Sequence, residues 1–266
     1  MTADDARDRL RLEIDGPIAR LVLDNAPRRN ALDLAMWRAI PRLIAEAQAR
    51  AGVRVIVVCA APGLPFCSGA DIAEFSTVRA TAEGGRAYEA ANEAAFDALA
   101  QCSLPVIAAI RGFCLGGGMG LAAACDLRIV ADGAQFGIPA GRLGVGYPPS
   151  AMAYVVAAVG PAKARDLFFT ARRLDAAEAK ALGFADRLVA GTDLDGAAAA
   201  LARDIAANAP LTLAAAKAAI ARCAGLPGAA SAQACEQLAA ACFDSADYAE
   251  GRAAFLAKRS PAFTGR

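Results

Sequence analysis

The chain has 266 residues, 28 of them basic and 27 acidic, a formal net charge of +1 and no histidine. That balance leaves no electrostatic footprint for nucleic acid or an anionic membrane, so small molecules and copies of the same chain are the expected partners. Without histidine there is no Ser-His-Asp triad, Cys-His dyad or His-Glu-x-x-His zinc site, and the length exceeds the usual about 100–200 residues of one domain, enough for a large core with an appendage.

The first fifteen residues are heavily charged and lack an apolar stretch, so no secretory signal is expected and the chain is assigned to the cytoplasm. Residues 10–14 and 18–23 alternate as strands around Asp15-Gly16-Pro17, a hairpin signal. A helix with Leu34, Trp37, Ile40 and Ile44 on its apolar stripe follows, expected to kink or restart at Pro41. Next come a strand over 53–60, a loop to Asp71, a polar helix near 83–100, a strand over 106–110, a glycine helix, a strand over 127–131 and a loop-rich segment to Tyr147. The uncharged stretch 143–162 has membrane-spanning length, but Pro148, Pro149, Pro161 and the glycines at 144, 146 and 160 point to a buried loop and helix.

From about Asp193 the strands give way to Ala-rich helices separated by Pro210 and Gly225-Leu226-Pro227-Gly228. This sets the expected division: a core over 1–192 and a helical region over 193–266. The last helix opens with Asp247 and Glu250, close to a capping box, and stops at Ser260-Pro261. The eight cysteines form no Cys-x-x-Cys pair and sit mostly in apolar surroundings, as buried reduced thiols would. The pattern as a whole reads as α/β.

Two glycine-bearing segments carry the chemistry: Phe66-Cys67-Ser68-Gly69-Ala70-Asp71-Ile72 and Leu115-Gly116-Gly117-Gly118-Met119-Gly120-Leu121. Each follows a buried-strand pattern. Three successive glycines let the backbone approach a ligand and leave amide N–H groups free at a helix start, where the dipole favours negative charge. One N–H at Ala70 and one at Gly117 could therefore converge on a single carbonyl oxygen and stabilise a thioester enolate.

With Asn30-Ala31-Leu32, Cys125-Asp126 and the tail from Tyr248 to Arg259, these segments resemble the crotonase (enoyl-CoA hydratase/isomerase) superfamily, from about Leu10 to the C-terminus. The resemblance implies a crotonase (ClpP-like) spiral of ββα units with a C-terminal helical trimerisation region, assembled as a trimer or dimer of trimers. It implies an acyl-CoA substrate, with coenzyme A arriving as part of the thioester and no permanently bound cofactor or metal. It assigns Asn30, Ala31, Leu32, Ala70, Asp71, Ile72 and Ala73 to the adenine and pantetheine, and Phe255 and Lys258 to a neighbouring subunit's ligand. Arg28 and Arg29 read equally as a solvated charged turn or as phosphate contacts.

In the usual hydratase of the family two glutamates face the acyl group; the matching positions here are Gly120 and Ala140. Lacking both, the chain is expected to hydrate poorly and to isomerise little better, because each positioned acid or base is worth about 10²–10⁴ in rate. Decarboxylation of a malonyl-type thioester makes the enolate without a base, in a pocket free of glutamates. Leu143-Gly144-Val145-Gly146-Tyr147 and Phe243-Asp244-Ser245-Ala246-Asp247-Tyr248 also resemble the methylmalonyl-CoA decarboxylase branch, whose histidine is here Ala70. Three readings thus stand: a hydratase/isomerase-family enzyme, a decarboxylase, and a non-catalytic acyl-CoA-binding homologue. Tyr147 either fills a loop with its hydroxyl on a backbone group or donates to the acyl end, and Arg142 is either a surface charge or a partner for a substrate carboxylate. Asp71 is expected to shape its turn, Glu74 to face solvent, and Asp126 to link the glycine helix to the next strand.

Overall fold

A computed structural model describes residues 6–266; the start of the charged leader lies outside the described residues. Strands β1 (Leu10–Asp15) and β2 (Ile18–Leu23) form the expected antiparallel hairpin, with Asp15 opposite Ile18. Helix α1 (Leu34–Ala49) carries the chain back so that β3 (Val55–Ala60) pairs parallel to β2. After α2 (Phe75–Val78) and α3 (Ala82–Ala100), β4 (Val106–Ile110) adds parallel to β3. Two strand–strand–helix units follow: β4, β5 (Phe113–Leu115) and α4 (Gly117–Ala123), then β6 (Leu127–Ala131), β7 (Gln135–Gly137) and α5 (Ala140–Leu143).

The chain continues through α6 (Pro149–Val159), α7 (Pro161–Thr170), β8 (Leu174–Asp175), α8 (Ala176–Ala181) and β9 (Arg187–Val189). Helices α9 (Leu194–Ala206), α10 (Pro210–Cys223), α11 (Ala232–Phe243) and α12 (Ala246–Leu256) complete it. The main sheet runs β1-β2-β3-β4-β6-β9 and a second sheet runs β5-β7-β8. No helix among the described residues is long and apolar enough to cross a membrane.

Strands β3 and β4 are buried on both faces, as a parallel sheet covered on each side requires. The two-residue alternation sends Ile56, Val58, Val106, Ala108 and Ile110 into one apolar cluster with α1 and α3. Val55, Val57, Cys59, Ile107 and Ala109 enter a second cluster, capped by Leu194, Ala198, Leu201, Ala202 and Ala206 of α9. The helical region that begins at Asp193 therefore supplies its first helix to the core.

Several expectations are corrected. Helix α1 runs unbroken through Pro41, because Trp37, Ile40 and Ile44 are fully buried on either side of it and tertiary packing outweighs the lost backbone bond. The third strand starts at Val55, since the Val53 N–H closes a turn onto Arg50 instead. The loop-rich segment before Tyr147 contains β7 and α5, elements too short for a periodicity to register. The cap of α12 is Ser245, whose Oγ accepts from the Tyr248 N–H at 3.0 Å, while Asp247 and Glu250 take up backbone amides of the C-terminal tail. All eight cysteines are free, five of them buried; Cys223 is exposed, and Cys235 and Cys242 are half-buried.

Candidate active site

The two glycine-bearing segments lie side by side because their flanking residues pair as short parallel strands. Cys67 donates its N–H to the Phe113 carbonyl at 2.8 Å, and Leu115 donates to the Cys67 carbonyl at 3.0 Å. On the other side the Leu32 N–H reaches the Gly69 carbonyl at 2.8 Å and the Asp71 N–H reaches the Leu32 carbonyl at 2.9 Å. Gly116 turns the chain into α4 at φ 51°, a left-handed conformation natural to glycine. Gly118 allows α4 to lie against Cys67, whose Cβ would stand 2.7 Å from any Cβ added there.

This pairing leaves two amides adjacent at one cleft. A Cβ on Gly117 would stand 3.8 Å from the Ala70 nitrogen, and among the described residues no loop or cap hydrogen bond takes up either the Ala70 or the Gly117 N–H. Gly117 is the first residue of α4, where an N–H has no acceptor within its own helix. The arrangement can bind an oxyanion. The cleft holds about 690 Å³, open solvent included, and is walled by Gly69, Ile72, Phe75, Phe96, Leu143 and Ala151 among others.

The remaining predicted residues fall into three groups. Ala70, Ile72, Gly117, Ala140 and Tyr147 line the cleft. The Tyr147 hydroxyl lies 4.0 Å from where a Cβ on Gly116 would stand, has no hydrogen-bond partner among the described residues, and is held well above the ordinary phenol range by burial. Its ring packs edge-on against Phe168 at 5.0 Å, so the ring fills the loop as one reading expected while the hydroxyl does not rest on a backbone group.

A second group serves the scaffold. Asn30, fully buried at φ 57°, accepts from the Asn25 N–H at 2.6 Å and donates to the carbonyls of Leu23 and Pro65, so its side chain is already committed. Ala31 and Leu32 are buried beside it. Asp71 bonds its own turn at Ala73 N, as expected, and faces Arg28 at 3.5 Å. Asp126 accepts from Val106 N at 2.7 Å and from Lys217 Nζ at 2.8 Å, so it is structural as expected but ties β4 to α10 instead of linking α4 to β6. Glu74 does not face solvent: its Oε1 accepts from Leu34 N at 2.7 Å at the start of α1, and burial raises its pKa. Gly120 leaves no room for ligand, because Phe96 Cζ would stand 2.7 Å from a Cβ there.

The third group lies elsewhere. Arg142 is exposed and borders a separate depression with Arg172 and Arg173. Phe255, 83% exposed, and Lys258 lie in the C-terminal region, and Ala73 is exposed and not among the residues lining the cleft.

Sequence reasoning missed the polar wall of the cleft, formed by Arg79, Glu89 and Asn92. Arg79 Nη2 meets Glu89 Oε1 at 2.7 Å, and the guanidinium is clamped over the rings of Phe75 and Tyr88, at 4.5 and 5.2 Å. Tyr88 anchors this end of α3 by accepting from Trp37 Nε1 and donating to the Leu32 carbonyl. Glu89 is the one carboxylate among the residues lining the cleft; burial raises its pKa, partly offset by Arg79 and by the Asn92 amide. A signal existed: Asn92 interrupts the buried stripe Tyr88, Ala95, Phe96, Leu99 of α3, and a polar residue at a core position asks for a reason.

A mixed α/β spiral whose ββα units bring two glycine-rich turns to one cleft is the crotonase fold. The model of the enoyl-CoA hydratase/isomerase family matches residues 13–266, and the chain belongs to that family. It is 36% identical over 246 residues to a Mycobacterium leprae protein described as a probable enoyl-CoA hydratase, covering 92% of this chain and 94% of the relative. It is 31% identical over 224 residues to the peroxisomal Delta(3,5)-Delta(2,4)-dienoyl-CoA isomerase of Arabidopsis thaliana, covering 80% of each. Among solved structures, an enoyl-CoA hydratase/carnithine racemase from Magnetospirillum magneticum superposes with a TM-score of 0.92 at 39% identity, over 97% of this chain and 96% of that one.

Proposed function

We propose that this chain is an acyl-CoA enzyme that holds a thioester oxygen between the N–H groups of Ala70 and Gly117 and stabilises the enolate formed beside it. The observation that carries this reading is the adjacency of those two unpaired amides at the wall of one cleft. Donors fixed before the reaction stabilise developing charge without reorganising, and such an arrangement usually contributes the largest part of the rate. Coenzyme A enters with the substrate, its pantetheine passing Ile72 and Ala73, and Phe255 and Lys258 serve a neighbouring subunit in a trimer or dimer of trimers. The names of the relatives include a hydratase and a dienoyl isomerase, so family membership leaves the reaction open.

The malonyl-type decarboxylase reading rests on a cleft free of carboxylates, and Glu89 weighs against it. Binding of a ligand to the folded state alone raises apparent stability by about 2.7 kcal/mol at a hundredfold excess over Kd. Butyryl-CoA is therefore expected to raise Tm by roughly 5–11 °C at such an excess. Free coenzyme A is expected to raise it less, because it lacks the carbonyl that meets the two amides. No shift and no calorimetric binding with any acyl-CoA at millimolar concentration would sink the reading. Substitution at Gly117 is a poorer test, since a Cβ there would stand 2.9 Å from the Trp37 ring and disturb the core.

A further inference from the structure

The two positions where the family's hydratases carry carboxylates hold Gly120 and Ala140, yet the cleft is not without an acid. Glu89 reaches it from a different element, α3. Its carboxylate is oriented by two neighbours, Arg79 at 2.7 Å and the Asn92 amide one helical turn on, while Tyr88 anchors the helix through Trp37 and the Leu32 carbonyl. Arg79 is in turn immobilised between two aromatic rings. A carboxylate held this firmly needs a purpose, because an exposed ion pair would contribute little to stability and a buried one often contributes nothing net.

Asn92 supplies the second observation. Its Oδ1 is buried and has no hydrogen-bond partner, an exception that folded proteins rarely leave. It stands at the cleft wall on the same helical face as Glu89, so a donor arriving with a ligand would satisfy it.

We propose that Glu89 is the catalytic proton carrier of this site, with Arg79 and Asn92 as its positioning residues. In the step, the C2–H bond of the bound thioester breaks and the proton passes to a Glu89 carboxylate oxygen. The electron pair of that bond moves through the carbonyl onto the thioester oxygen, where the Ala70 and Gly117 N–H groups hold it as an enolate. Return of the proton to C2 regenerates the thioester; return to a conjugated carbon further along an unsaturated chain yields the isomer. Neither course consumes an oxidant, a reductant or water. The charged and titratable groups near Glu89 are Arg79, Glu93 on its own helix, and Tyr147 of the cleft lining. Burial raises the Glu89 pKa toward the working range of a general base while Arg79 keeps the carboxylate ionisable.

This proposal rests on the acyl-CoA reading above, and the experiment separates the two. Butyryl-CoA is incubated with the full-length protein in D₂O and its C2 protons are followed by NMR, while binding of the same ligand is followed by calorimetry. Wild type is expected to exchange these protons; Glu89→Gln, of the same shape, is expected to bind butyryl-CoA as wild type does and to exchange it at least 100-fold more slowly. Glu89→Asp is expected to recover part of the rate, and Tyr147→Phe to keep more of it than Glu89→Gln does. Exchange in wild type is expected to fall on acidification as Glu89 is protonated, so a flat acid limb overturns the assignment even where Glu89→Gln fails to fold. Binding without any exchange by wild type, exchange undiminished in Glu89→Gln, or exchange lost only in Tyr147→Phe each overturn it while leaving the acyl-CoA reading in place. Failure of wild type to bind acyl-CoA at all overturns both.

Discussion

At Gly120 the absence of a glutamate is written into the packing rather than only into the chemistry. Phe96 occupies the volume that a longer side chain would need, 2% exposed and edge-on to Trp37 at 5.7 Å. Restoring the family's carboxylate by Gly120→Glu is therefore expected to force Phe96 aside, costing about 1–3 kcal/mol by overpacking and lowering Tm by roughly 2–12 °C, with no gain in crotonyl-CoA hydration. A thermal melt unchanged from wild type would show that Phe96 yields freely and that the cavity argument is wrong. The sequence identified the missing acid but not the ring that replaced it, because residues 96 and 120 lie on different helices and only their packing relates them. Glu89 was hidden for the same reason. It sits in a charged, Ala-rich stretch that reads as a solvated face, and its place in the cleft depends on how α3 is pinned through Tyr88 and Arg79.

The elements most legible in the sequence are those with a strong local code. Strand Val106–Ile110 appears where its apolar run places it, because a buried parallel strand is apolar on both faces, and Ile18–Leu23 appears where its alternation and the hairpin turn place it. The three-residue strands β5 and β7 carry no such pattern and exist through pairing with each other. At α12 the apparent capping residues have another task. Asp247 accepts from the backbone of Thr264 and Gly265, and Glu250 pairs with Arg259 and accepts from Ala262 N at 2.8 Å, so together they latch the tail against the helix. The Arg259 bonds hold the Glu250 carboxyl down at about 2, from its ordinary 4.5. A carboxyl depressed on folding contributes stability that is present above its unfolded pKa and is lost as pH falls through the folded one, here between about 4.5 and 2. Hydrogen exchange at the Ala262 amide is expected to accelerate across that window in wild type and to be fast and pH-insensitive, beyond the intrinsic trend, in Glu250→Gln. An unchanged protection profile in the variant would rule out the latch.

Across the whole molecule the four C-terminal helices divide unequally between core and surface. Helix α9 buries Leu194, Ala198, Leu201, Ala202 and Ala206 on the sheet, whereas α10 buries only Ala215 and α11 buries none of its residues. Beyond α9 the surface carries Ile220, Phe243, Phe255 and Leu256, each at least 66% exposed. Under the proposed function these side chains are expected to be covered by further copies of the chain. The change of composition at Asp193 signals helices correctly but cannot say which of them the sheet requires, since Ala-rich segments look alike until something packs on them. A chain ending at Thr192 would expose Val55, Val57, Ile107, Ala109 and Ile129 on the outer face of the sheet. It is expected to aggregate or to melt without cooperativity. A chain ending at Asn208 keeps α9 and is expected to stay folded, as a monomer by light scattering, at reduced Tm because the bonds from Lys217 to Asp126 and to the Leu99 and Leu104 carbonyls are gone. Cooperative unfolding of the shorter chain would show that the sheet does not require α9, and oligomerisation of the longer one would place subunit contacts outside the last three helices.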